Sequence, residues 1–446
     1  MTKEKIKTAW DFLDESEIST FANAYKHFIS QAKTEYDVAD FISEEAEKRG
    51  FKNIEECETL KEGDCVYWVF NDRLCMLARI GEKKDVLRII GAHADSPRVE
   101  LKINPIEEKK DINLGVLKIC FYGGFAPYVW ANQLLELRGV VYKKSEKRKF
   151  SIKNLVIPDH LPHLSRQRLE ERKGEEVIKG EEMKVLAGNR EIENFKKFVL
   201  DTISKEIGID FCEKDFVRAH LMLVPQYEVV DTGLDKSMIA GYGHDDRACV
   251  FTCIKALFEA EHLPCTSVAM IVDKEEIGSE SNTSARSEAI KYFFETLLEK
   301  TCGKKLREVM IKSRGISADV TAAIAPGFED CYDITNAAKL GMGVAVERFS
   351  NYAGKYWQNE ASIKFTDWVV EILEKHNIPW QACVVTSKTD KKLGGGRTIS
   401  CFMARFGTDV IDMGVPTLGM HTPTEIISKA DLYATYLAYK AFFEEK

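Results

Sequence analysis

The chain of 446 residues predicts an α/β fold, a mixed and mostly parallel sheet covered by helices on both faces, with a β-rich domain inserted into it. Three observations carry that expectation. Apolar strand-like runs alternate with helix-periodic segments towards both ends of the sequence, the rhythm of a parallel or mixed sheet. The run "VLRII" at 86–90 is apolar at nearly every position, as suits a strand buried on both faces. Between about 101 and 235 the rhythm gives way to short strand-like runs separated by turns and charge. The expected division is therefore an α/β domain in two parts, 1–100 and 236–446, with the insertion at 101–235.

Taken in order, the first part shows helical segments near 17–32 and 37–48, then strands at 64–70, 74–80 and 85–91. The insertion holds "LGVLKICFYGGF", "LLELRGVVYKK" and "LMLVPQYEVVD" as strand-like runs. The charged segment "SRQRLEERKGEEVIKGEEMK" mixes both signs and reads as a solvated loop or surface helix. "KKSEKRK" at 143–149 reads as a hairpin turn. In the last part, 248–261, 289–300 and 361–373 have helical periodicity; 265–273, "RGISADV" and "WQACVVT" read as strands, and a terminal helix closes the chain.

Bulk properties narrow the function. Apolar residues make up 45% and charged residues 30%, the balance of a soluble globular protein, and the formal charge is −8. An acidic chain is a poor partner for phosphate backbones, so nucleic acid is not expected as the main ligand. No apolar run approaches the roughly 20 residues that cross a bilayer, and "MTKEKIKTAWDFLDESE" lacks a signal-peptide core, so the expected location is the cytoplasm. The twelve cysteines show no Cys-x-x-Cys pair and read as reduced, mostly structural residues.

The chemistry lies at strand ends, where open α/β sheets bind ligands. Five polar clusters stand there: His93 with Asp95; Asp245 and Asp246 in "GYGHDDRAC"; Glu275 and Glu276 in "VDKEEIGSES"; Asp319 in "GISADVT"; and His421 in "LGMHTPTE". Imidazole and carboxylate together suit zinc, cobalt or manganese, and five ligands suit two ions sharing one carboxylate. One glutamate of the adjacent pair can bind metal while its neighbour acts as general base. Asp95, two residues after His93, can orient the imidazole through its other nitrogen. Each cluster alone has an ordinary explanation: a loop histidine, a helix cap for Asp246, a solvated pair for Glu275 and Glu276. His244 reads as structural. The glycine run "KLGGGRTI" lacks the ending and context of a phosphate loop and reads as backbone passing close to metals or substrate.

The motifs "AHADSPRVELK", "DDR" at 245–247, "DKEEIGS", "SADV", "GMHTPTE", "IPDHLPHL" and "VIDMGVPTLGMH" occur in an order that resembles the aspartyl aminopeptidase family, from about residue 20 onward. That resemblance implies a zinc-exopeptidase-like catalytic domain and peptide substrates. It assigns His93, Asp245 and Asp319 to one metal and Asp245, Glu276 and His421 to the other, with Asp245 bridging. It makes Glu275 the general base and Asp95 the orienter of His93. It matches His163 to a histidine that contacts substrate in a neighbouring subunit's site, and it implies dimer contacts through the inserted domain and a dodecameric homo-oligomer. Two stretches depart from the family pattern, "WANQLL" at 130–135 and "AAIAPG" at 322–327, which lack three charges and two histidines found there. The metal set is untouched by these changes; the family's preference for acidic N-terminal residues is not carried over. Two other readings share the framework: a carboxypeptidase or N-acyl amino acid deacylase, and a non-catalytic assembly protein with a relict site.

Overall fold

The computed structural model describes residues 6–174, 177–190, 192–351, 355–385 and 398–446. They form two compact units, one of residues 1–96, 229–420 and 424–446, the other of residues 97–228 and 421–423.

The first unit is built on a nine-stranded mixed sheet. Its strands run Lys52–Asn53, Cys65–Phe70, Leu74–Arg79, Cys265–Val272, Lys83–His93, Arg314–Ser317, Asp409–Gly414, Val344–Glu347 and Trp380–Ala382 in spatial order. Cys265–Val272, Lys83–His93, Arg314–Ser317 and Asp409–Gly414 are parallel to their neighbours in this group, and antiparallel strands extend it on either side. Successive side chains of a strand face opposite ways, and the apolar run at the centre exploits that. Ile90 and Ala92 join one buried cluster, with the helices Glu15–Gln31, His244–Glu259 and Lys429–Glu444. Leu87 and Ile89 join a second cluster, with Glu288–Thr301. Helices thus cover both faces, and the parallel strands deliver their carboxyl ends to one rim.

A smaller five-stranded sheet lies in the same unit, in the order Val230–Thr232, Met238–Gly241, Glu425–Ser428, Pro416–Leu418 and Thr321–Ala322. It accounts for the unit boundary. The sequence places 229–235 in the insertion, but Val230–Thr232 pairs with Met238–Gly241, which in turn pairs with Glu425–Ser428, so hydrogen bonding draws the segment into the first unit.

The second unit is a closed six-stranded barrel, Ala219–Pro225, Arg98–Lys109, Leu114–Tyr122, Lys184–Gly188, Glu146–Val156 and Leu134–Lys143. It begins at Pro97, four residues before the expected boundary, because Arg98 already pairs with Tyr122. The expected hairpin turn is seen at Lys144 and Ser145, both left-handed, between Leu134–Lys143 and Glu146–Val156. Gly139 in the first of these strands lets the Phe150 ring lie over the backbone, where a Cβ would come within 2.1 Å of it. The helix Phe195–Ile207 buries Phe195, Val199, Ile203 and Ile207 at the spacing of one helical face. The mixed-charge segment starts as the helix Pro162–Glu170. Among the described residues no helix is long and apolar enough to cross a membrane.

Candidate metal centre

His93 is the last residue of its strand, so the strand itself sets the direction of the imidazole. Its Nδ1 lies 3.1 Å from the Asp95 carbonyl oxygen and 3.4 Å from the Asp95 carboxylate, which leaves Nε2 as the outward donor atom. That Nε2 faces Asp245 Oδ1 at 3.3 Å and Asp319 Oδ1 at 3.7 Å. Asp319 follows Arg314–Ser317 by two residues, and Asp245 opens the helix His244–Glu259. His93 and Asp245 are buried and Asp319 is half-buried.

Donor atoms of His93, Asp245 and Asp319 all fall within 4.8 Å of one another, and Glu276 offers an oxygen within the same distance of Asp245. One nitrogen with two or three carboxylate oxygens, on buried and half-buried side chains, is a donor set that fits zinc. The electrostatics agree. Burial alone would push the His93 pKa down, but Asp245, Asp319 and Asp95 overcome it and raise it well above its ordinary value. The same carboxylates that draw a proton onto the ring would draw a divalent cation.

Glu275 and Glu276 lie on a single turn after Cys265–Val272, flanked by left-handed Lys274 and Gly278. Asp95 holds this turn from below: its two carboxylate oxygens accept the backbone N–H of Glu275 at 3.1 Å and of Glu276 at 3.2 Å. Burial, and then the negative charge of Asp319, Asp95 and Asp245 against the opposing pull of His93, raises the Glu275 pKa to about 8. Cations held by the neighbouring carboxylates would draw this value back down and favour the carboxylate form, the form that can accept a proton.

Other residues that sequence reasoning treated as bland have specific places. Asp246, expected to act as a helix cap, accepts the His93 backbone N–H at 3.2 Å through Oδ2 and is fully buried. His244 bonds through Nδ1 to the Tyr25 hydroxyl at 2.6 Å, and burial lowers its pKa to about 3. Ser96 and Glu425, which the sequence did not single out, both hydrogen-bond the backbone of Asp245.

His421 has left-handed backbone, φ 65°, in the short piece 421–423 grouped with the second unit. Its Nδ1 lies 2.6 Å from the Gly124 carbonyl oxygen, which places the ring proton there and leaves Nε2 as a lone-pair donor. His163 is exposed near the start of Pro162–Glu170 in the second unit. Most of the glycine run at 392–399 lies outside the described residues.

Residues 28–443 match the Aminopeptidase I zinc metalloprotease (M18) family. The chain belongs to the M18 zinc aminopeptidases. As such it is a metalloaminopeptidase, a hydrolase of peptide bonds. A curated relative, probable M18 family aminopeptidase 1 of Borreliella afzelii, is 37% identical, with 99% of this chain and 100% of the relative covered. The crystal structure of the M18 aminopeptidase from Thermotoga maritima is similar with a TM-score of 0.92 and 35% identity, over 100% of both chains. A more distant yeast chain, described as the mApe1 dodecamer, has a TM-score of 0.77 at 19% identity over 97% of this chain and 98% of that one, a likeness of fold alone. The strand-end cluster brings carboxylates and imidazole together at one place in this M18 chain.

Proposed function

We propose that this M18 enzyme removes N-terminal amino acids from peptides at a site of two divalent ions, zinc in the first instance, with Glu275 as general base. The convergence of His93, Asp245 and Asp319 within 4.8 Å, beside a Glu275 turn anchored on Asp95, carries this reading. His93, Asp245 and Asp319 would hold one ion, and Asp245, Glu276 and His421 would hold the other, an assignment supported by the motif order.

Bound ions would polarise the scissile carbonyl and lower the pKa of an attacking water. The residues supply the rest. Glu275 accepts the water's proton and delivers it to the departing amine, so that it returns to its starting state each turnover. Asp95 keeps Glu275 and Glu276 apart in function by fixing both backbone N–H groups, so that one side chain faces metal and the other faces water. His93 is held in a single tautomer by Asp95, the arrangement that raises ligand basicity. His163, exposed in the inserted unit, reaches substrate in a neighbouring subunit of a homo-oligomer, a dodecamer in this reading, with dimer contacts through the barrel unit. The enzyme acts in the cytoplasm.

The test compares hydrolysis of aminoacyl anilides, their N-acetylated forms and C-terminally free acyl amino acids, together with zinc content, in wild type and Glu275→Gln. The expected result is cleavage that needs a free amine, lost in Glu275→Gln with zinc retained. Equal cleavage by Glu275→Gln refutes the role of Glu275. Preference for acylated substrates points to a deacylase or carboxypeptidase instead.

A further inference from the structure

The side chain shared by both proposed ions sits where regular structure supports it least. Asp245 lies in the first turn of His244–Glu259, yet its backbone is not helical, with φ −80° and ψ 107°, and neither is that of Asp246, with φ −115° and ψ 25°. Gly243, just before the turn, is left-handed at φ 79°. A carboxylate in such a stretch points wherever the peptide groups on either side of its Cα are held.

Two buried side chains hold them. Glu425 accepts the Asp245 backbone N–H through Oε2 at 3.0 Å. Ser96 donates its hydroxyl to the Asp245 carbonyl oxygen at 2.5 Å. Both residues are only 1% exposed. They come from separate elements: Ser96 from the loop after Lys83–His93, Glu425 from the start of the strand Glu425–Ser428. With the amide fixed on one side and the carbonyl on the other, the direction of the Cα–Cβ bond is fixed between them.

The chemistry of the two partners suits the task. A carboxyl oxygen accepts an N–H whichever protonation state the group holds, so buried Glu425 can fix this amide. A buried carboxylate is costly, and its presence beside further carboxylates needs a compensating role. Ser96 is followed by Pro97, whose ring limits backbone freedom. Within four residues the chain thus presents a metal ligand in His93, the anchor of the Glu275 turn in Asp95, and the anchor of Asp245 in Ser96.

We infer that Ser96 and Glu425 are positioning residues that clamp the backbone of Asp245 and so aim its carboxylate between the two ions. The inference rests on the two-metal reading above. In this assignment each acts through the Asp245 backbone to which its side chain is hydrogen-bonded.

The experiment measures zinc affinity of the full-length protein by chelator competition, in wild type, Ser96→Ala, Glu425→Ala and Glu425→Gln. Loss of a residue that supports a metal ligand typically weakens binding by about 10–100-fold, and that range is expected for Ser96→Ala and Glu425→Ala. Glu425→Gln keeps an acceptor for the N–H and is expected to recover part of the loss. A lowered kcat should return towards wild type in excess zinc while KM stays put, which a general folding defect would not do. Should Glu425→Ala fail to fold, Ser96→Ala, which deletes one buried oxygen, decides the matter. Wild-type zinc affinity in the variants that fold overturns the clamp alone. A wild-type protein that binds no zinc overturns the metal reading and the clamp with it.

Discussion

At the scale of single residues, Glu275 carries the sharpest expectation. Its pKa is raised to about 8 by burial and the surrounding carboxylates, and its backbone is pinned by Asp95. General acid–base catalysis is worth about 10²–10⁴-fold, so Glu275→Gln should lower kcat by that factor while zinc content, read by elemental analysis, stays at the wild-type level. A second residue-scale prediction concerns Glu100 in the barrel unit. Burial would raise its pKa, but Arg98, with a guanidinium nitrogen 2.8 Å away, and His220, also at 2.8 Å, lower it to about 2 from an ordinary 4.5. A depressed acid stabilises the fold above its unfolded pKa and ceases to as pH falls through its folded one. The contribution, on the order of 3 kcal/mol, is therefore full above pH 4.5 and fades towards pH 2. Glu100→Gln should lower the urea midpoint at pH 7, and the gap from wild type should narrow as the pH is taken below 4.5. The metal-site candidates were legible in the sequence because each stands at the end of an apolar run. Ser96 and Glu425 were not, because their role lies in bonds to a backbone 149 and 180 residues away, and such bonds leave no mark on composition or periodicity.

At the scale of elements, the parallel strands explain why the chemistry gathers where it does. Lys83–His93, Cys265–Val272 and Arg314–Ser317 lie side by side, so their ends bring His93, Glu275 and Asp319 to one rim. The neighbouring strand, Asp409–Gly414, closes on the same place: a Cβ at Gly414 would lie 1.8 Å from the Asp319 carbonyl oxygen. Backbone cannot yield there as a flexible side chain could. Gly414→Ala should therefore displace the Asp319 loop, cost about 1–3 kcal/mol in urea unfolding, and weaken zinc binding at the same time. A stability loss with zinc affinity unchanged would show that the loop relaxes independently of the site. Strand and helix positions in the first unit were legible from period: its long helices begin and end within a few residues of expectation, whereas Phe195–Ile207 in the second unit was not expected. The second small sheet was not, since Thr321–Ala322 and Pro416–Leu418 are too short to carry a pattern and exist only through their partners. For the same reason the expected end of the insertion missed the pairing that takes Val230–Thr232 into the first unit.

At the scale of the whole molecule, the rim of the first unit is crowded with buried carboxylates. His93, Asp95, Asp245, Asp246, Glu275 and Asp319 interact within one volume, and uncompensated carboxylates there oppose folding. Cations should thus stabilise the protein as well as activate it. Free zinc at about 100 times its Kd would add about 2.7 kcal/mol per site, so stripping the metal should lower the thermal unfolding midpoint, and zinc should restore it. The α/β class and the β-rich insertion were readable from rhythm alone; closure of the insertion into a barrel was not, because it depends on which strands meet across 78 to 124 residues. The most direct test of the central claim is a zinc titration of metal-stripped protein that follows hydrolysis of one peptide with its amino terminus free and with it acetylated. The account predicts no activity at the start, recovery complete at two zinc ions per chain, and cleavage of the free-amine peptide only. Activity in the stripped protein, or equal cleavage of the acetylated peptide, would contradict it.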